Sequence, residues 1–236
     1  MMDPRNQSPF NTLPPVVVSL AVVVMGVELM FQAGSAGIVG GAQGVGWRLT
    51  ALRDWAISDV VWNWMVANRT FPPIEMARFV AYPLLHGSMT HAVFVAVFVL
   101  ALGNAIAPVY RGVRVLAIFF GAAVLGALGF LLMFDTQQPL FGGYPGAYGL
   151  IGAFTYLTQR GLTRADPARA FLLIGFLLAL QPIFAAATLF DPGRGFSLAW
   201  LPDWIADMTG AAGGYGIAVL LFPGMIGHLR DRLRQR

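Results

Sequence analysis

Gly142-Gly-Tyr-Pro-Gly-Ala-Tyr-Gly-Leu-Ile-Gly152 sits between two long apolar segments and opens a third. A turn lined with glycine here launches a helix from inside a membrane protein. Pro145 suits the first position of that helix, where its missing N–H is one that a helix start leaves unpaired anyway. Gly142 and Gly146, then Gly149 and Ala153, set small residues four apart, a spacing that lets neighbouring helices approach closely in lipid. The stretch reads as the packing centre of a bundle.

Composition supports that reading. The 236 residues are 57% hydrophobic and only 11% charged, with mean hydropathy +0.68; soluble domains average about 25% charged residues. Runs near the spanning length of about 20 residues fall at Pro14 to Gln32, Pro83 to Ile106, Val113 to Phe134, Ala147 to Leu157, Ala168 to Phe190 and Trp204 to Met225. The expectation is an all-α, polytopic membrane protein: residues 14–229 form six spans, with polar tails at 1–13 and 230–236. The fourth run is short, which suits a helix held in the middle of the bundle. The first is too long for a signal-peptide core and is read as a retained span. Cysteine is absent, which excludes a disulfide, a thiol nucleophile and a thiolate metal site.

Six spans place the N-terminus, two even-numbered turns and the C-terminus on one side. That side carries ten arginines against three aspartates, and the other carries five arginines against six acids. By the positive-inside rule both termini are cytoplasmic, as in a protein of the bacterial inner membrane. The basic balance belongs to topology, so no nucleic-acid partner is expected. Glu28 lies in the outer half of the first span. It is either a functional intramembrane acid or close enough to the interface to stay hydrated. Residues 33–82 form a long outer loop whose tryptophans Trp47, Trp55, Trp62 and Trp64 favour the membrane interface. That loop is read either as a passive interfacial cover or as a surface for a partner.

Four stretches resemble motifs of rhomboid intramembrane proteases. His86-Gly-Ser-Met-Thr-His91-Ala-Val-Phe-Val95 follows the family's His-x4-His-x3-Asn pattern, with Val95 at the asparagine that assists the oxyanion. Gly142 to Gly149 follows Gly-x-Ser-Gly-x-x-aromatic-Gly, with Tyr148 and Gly149 matching, Tyr144 at the serine and Pro145 at the second glycine. Gly210 and Gly214 match the Gly-x-x-x-Gly of the last span, where the catalytic histidine corresponds to Asp207. Arg78, eight residues before His86, matches the arginine of the family's loop motif, although Ala77 stands at its tryptophan. The resemblance implies a six-helix rhomboid-like bundle with a partly interfacial first outer loop.

The chemistry does not carry over with the fold. A carboxylate of ordinary pKa near 4 is a poor base for a hydroxyl, and no serine stands beside it. The sequence is therefore read as a catalytically inactive member that binds transmembrane helices of other membrane proteins, in assembly, chaperoning, quality control or as a subunit of a membrane complex. The alternative is an intramembrane protease of altered mechanism, with Tyr144 as nucleophile; a transporter reading rests only on Glu28 and Asp207. His86, His91, Tyr148 and Arg78 form a candidate polar pocket beside Tyr144 and Asp207, and Gly142, Gly146, Gly149, Gly210 and Gly214 are the candidate packing residues. The histidines also admit a structural role, pinning the second span. Tyr144 is expected to donate a hydrogen bond to Asp207. No cofactor is expected, nor a metal, since five-residue spacing does not put His86 and His91 on one helix face.

Overall fold

The computed structural model describes residues 13–163 and 198–223, with Asp166 and single positions between Leu172 and Ile183. The described residues are almost wholly helical. Helix α1 (Pro15–Ser35) is followed in the outer loop by a single turn, α2 (Gly41–Gly44), and then by α3 (Trp47–Trp55), α4 (Asp59–Asn68) and α5 (Pro73–Ala81). A 3-10 turn, Tyr82–Leu84, leads into α6 (Met89–Met133), then α7 (Tyr144–Gln159) and α8 (Leu201–Leu221). Three of these helices, α1, α6 and α8, are long and apolar enough to cross a membrane. The expected fifth span, Ala168 to Phe190, lies largely outside the described residues, as do the two tails.

Helix α6 is two spans in one run. Its 45 residues would reach about 67 Å as a straight rod, roughly twice the hydrocarbon thickness. The backbone leaves helical geometry at Arg111 (φ 52°, ψ 165°). Val95 and Phe119, on opposite sides of that break, both pack on Gly143, so the chain folds back there. The connection expected between Ile106 and Val113 thus narrows to one residue. Arg111 takes the positive φ although glycine follows it; Gly112 lies instead against Val16 of α1, where a Cβ would come within 3.0 Å.

Other boundaries also shift. The second span starts at Met89, not Pro83, because Pro83 belongs to the 3-10 turn and Ser88 caps the helix, its hydroxyl accepting from the His91 N–H at 3.2 Å. In α7 Tyr144 occupies the first helical position and Pro145 the second, so the proline sits one place further in than its sequence context indicates. Helix α8 begins at Leu201 and ends before Pro223, three residues ahead of the expected start at Trp204.

Short α7 is the axis of the bundle. Every residue from Pro145 to Ala153 is buried, and the helix packs against both α6 and α8, while α1 covers α6 from outside. Large apolar side chains such as Val22, Leu29, Phe94 and Leu132 point outward, as expected where lipid is the solvent. Hydrogen bonds from buried phenols tie distant segments: Tyr82 donates to the Ala123 carbonyl at 2.6 Å and Tyr110 to the Ala218 carbonyl at 2.8 Å. The outer loop is fastened to the α6–α7 connection by paired backbone bonds between Ile57 and Leu140, each 3.0 Å.

Candidate functional site

The site forms where the 3-10 turn, the start of α6, the start of α7 and the first turns of α8 meet. Gly142 makes the turn into α7 with φ 106°, a conformation that L side chains rarely adopt. Its N–H donates to the Tyr82 carbonyl at 3.0 Å, and a Cβ there would stand 2.5 Å from the His91 ring. Gly142 therefore serves the turn and the histidine, outside any helix, instead of acting as one of the helix-packing residues. Gly146 receives Phe119, while Gly149 sits against Ala122 and the Gly210 carbonyl. Gly210 lies on the Pro145 backbone and Gly214 on the Gly149 backbone. At these positions α7 and α8 touch main chain to main chain.

Above that crossing lies a line of rings. His86 meets His91 edge to face, with centroids 4.9 Å apart. His91 in turn stacks on Tyr144 at 4.7 Å and 21°, and Tyr144 meets Tyr148 edge to face at 6.5 Å. His86 is fully buried. Neither of its ring nitrogens, nor Nε2 of His91, makes a hydrogen bond of good geometry among the described residues, although the Leu84 carbonyl is close enough to act on the His86 ring. Val95 is equally buried and puts a methyl group against Gly143. Asp207, 3% exposed, is close enough to Tyr82, Tyr144 and Tyr148 to act on them electrostatically.

Two expectations are corrected here. No hydrogen bond joins the Tyr144 hydroxyl to Asp207; the phenol springs from the first residue of α7 and lays its ring on His91, across the bundle on α6. Arg78 is not part of the ring cluster. Its guanidinium binds Glu75 at 2.5 Å and the carbonyls of Arg53 and Ala56 at 3.0 and 2.9 Å, so it closes the C-terminal end of α3, where helix carbonyls lack internal partners.

Sequence reasoning also missed a contact. Glu28 is not hydrated at the interface: it is 0% exposed and paired with Arg48 of α3 at 2.7 Å. An acid inside a span signals that some cation should meet it, but spacing could not choose Arg48 among the outer-loop arginines. Tyr82 was likewise overlooked, because nothing in its flanking sequence marks its hydroxyl as reaching the Ala123 carbonyl. Among the described residues no group of three or more His, Asp or Glu comes together as a metal site.

The profile of the Rhomboid domain matches residues 73–224, well over half of the chain. The chain belongs to the rhomboid family. In this rhomboid the matched segment runs from the first residue of α5 past the end of α8, so it contains the ring cluster and the α7–α8 crossing. Helix α1 and the outer loop through Pro72 lie outside it. Comparison with curated proteins finds no match to the chain.

Proposed function

We propose that this rhomboid does not cleave peptide bonds and instead holds transmembrane helices of other integral membrane proteins. It would do so in a bacterial inner membrane with both termini cytoplasmic, as an assembly, chaperone, quality-control or subunit component of a membrane complex. The observation that carries the proposal is the Tyr144 ring stacked on His91, at the position matched to the family's nucleophile. Acyl transfer needs a nucleophile within hydrogen-bond reach of a base and donors aimed at the developing oxyanion. Here the phenol is turned onto an imidazole, the neighbouring acid is a carboxylate, and a valine methyl faces the turn where a donor would be required.

Binding is supported by what the cluster leaves poorly paired. Nε2 of His91 is buried without a partner among the described residues, and the ring nitrogens of His86 have only the weak pull of the Leu84 carbonyl. Such groups are costly in hydrocarbon until something pairs with them. A neutral imidazole offers one donor and one acceptor, so a client helix carrying an amide or hydroxyl side chain at this depth would satisfy them once the site opens, since the nitrogens are closed off from the surface here.

Two measurements test the proposal together. Purification in mild detergent should recover a membrane protein in defined stoichiometry, and recovery should fall for His91→Leu while the melting temperature changes little. Incubation with a labelled single-span substrate should yield no product. Robust cleavage by the unaltered chain, abolished by Tyr144→Phe, would overturn the proposal in favour of a protease of altered mechanism.

A further inference from the structure

The line of rings does not end at His86. The His86 carbonyl lies in the non-helical stretch between the 3-10 turn and the Ser88 cap, and it accepts from Nη1 of Arg48. The same guanidinium gives Nη1 to one oxygen of Glu28 at 2.7 Å and Nη2 to the other at 2.8 Å. Gln32 adds a third donation to that carboxylate at 2.7 Å, and the guanidinium lies 5.2 Å from the Phe31 ring centroid. One planar cation thus joins α1, α3 and the His86 stretch, a task suited to the fork of arginine and not to the point charge of lysine. The Arg48 side chain is 18% exposed and that of Glu28 0%, so solvent screens the pair little.

We propose that Glu28 and Arg48 are positioning residues of the polar site. Their ion pair fastens α3 to the first span and carries the donor that fixes the His86 stretch. His86 then orients His91, and His91 supports Tyr144. Both residues lie outside the segment matched to the Rhomboid domain, so the first span and outer loop of this chain complete a site whose other parts lie within it. Residues 41–55 and 85–88 should consequently open as one unit, the former unable to leave without freeing the latter. The inference does not depend on the proposed helix-binding function, since it concerns only what holds the site in shape.

Hydrogen exchange on the unaltered protein in lipid nanodiscs tests the coupling. Peptides covering 41–55 and 85–88 should share one opening equilibrium, and Arg48→Lys should raise exchange in both. Exchange of 41–55 while 85–88 stays protected would overturn the proposal. Modification of His86 by diethylpyrocarbonate, read by mass spectrometry, separates positioning from simple charge pairing. Replacing both partners, Glu28→Met with Arg48→Met, removes the buried charges together and is tolerated in other proteins. If Arg48 positions His86, its labelling should still rise by about tenfold or more, the scale of a lost charge-assisted hydrogen bond. If the paired variant folds with His86 as shielded as before, the pair is only structural and the proposal fails. Should that variant not fold, Arg48→Lys and the unaltered protein still decide through exchange.

Discussion

Gly214→Ala should break the bundle at its tightest crossing. A Cβ at Gly214 would lie 2.5 Å from the Gly149 carbonyl carbon and closer still to its oxygen and Cα. All three are backbone atoms, so no rotamer can move aside. Non-bonded carbon atoms settle at about 3.5–4.0 Å, and α7 and α8 would have to separate by about 1 Å. The separation would spread to neighbouring contacts, because a Cβ at Gly152 would meet the Tyr215 N at 2.8 Å and one at Gly210 the Pro145 carbonyl carbon at 2.9 Å. Overpacking typically costs about 1–3 kcal/mol, and contacts held along the whole interface place this substitution near 3 kcal/mol or above. Gly216→Ala, two residues on in the same helix, is the internal control: nothing lies within 4 Å of its added methyl group, and helix propensity favours alanine by up to about 1 kcal/mol. Denaturation of both variants in mixed micelles gives the comparison. A Gly214→Ala loss of less than about 0.5 kcal/mol, the size of an inconsequential surface change, would refute the main-chain contact between α7 and α8.

Installing Tyr144→Ser with Asp207→His should not produce a strong protease, because Pro145 has no N–H and Val95 no donor, and a single missing oxyanion donor costs about 10²–10³ in rate; rapid turnover of a labelled substrate by the double variant would contradict this. Tyr82→Phe removes the donation to the Ala123 carbonyl at 2.6 Å and should lower stability by about 1 kcal/mol, a modest loss because that carbonyl is in mid-helix; the same micelle titration reads it, and an unchanged midpoint would deny the bond any weight. Reporter fusions at Arg236 and within residues 34–46 should report opposite sides of the membrane, as the arginine asymmetry requires; a shared side would refute the proposed orientation.

The membrane class and the helical fold were legible in the sequence because both depend on a local quantity, the apolar content of each run measured against bilayer thickness. Family membership was legible for a similar reason, since the histidine pair and the glycines of two later segments keep their spacing whatever chemistry surrounds them. Boundaries drifted where a cap or turn overrode hydropathy, as at Ser88 and Pro83. Three features were decided only by tertiary structure. Tyr144 stacks its ring on His91, Arg78 closes α3 and stays out of the ring cluster, and Arg48 is the cation that meets Glu28. Each depends on which way a side chain leaves its helix and which distant segment then lies within its reach. Residues 28, 48 and 86 are joined by one guanidinium across two connections, and nothing in their separation along the chain distinguishes Arg48 from the other arginines of the outer loop.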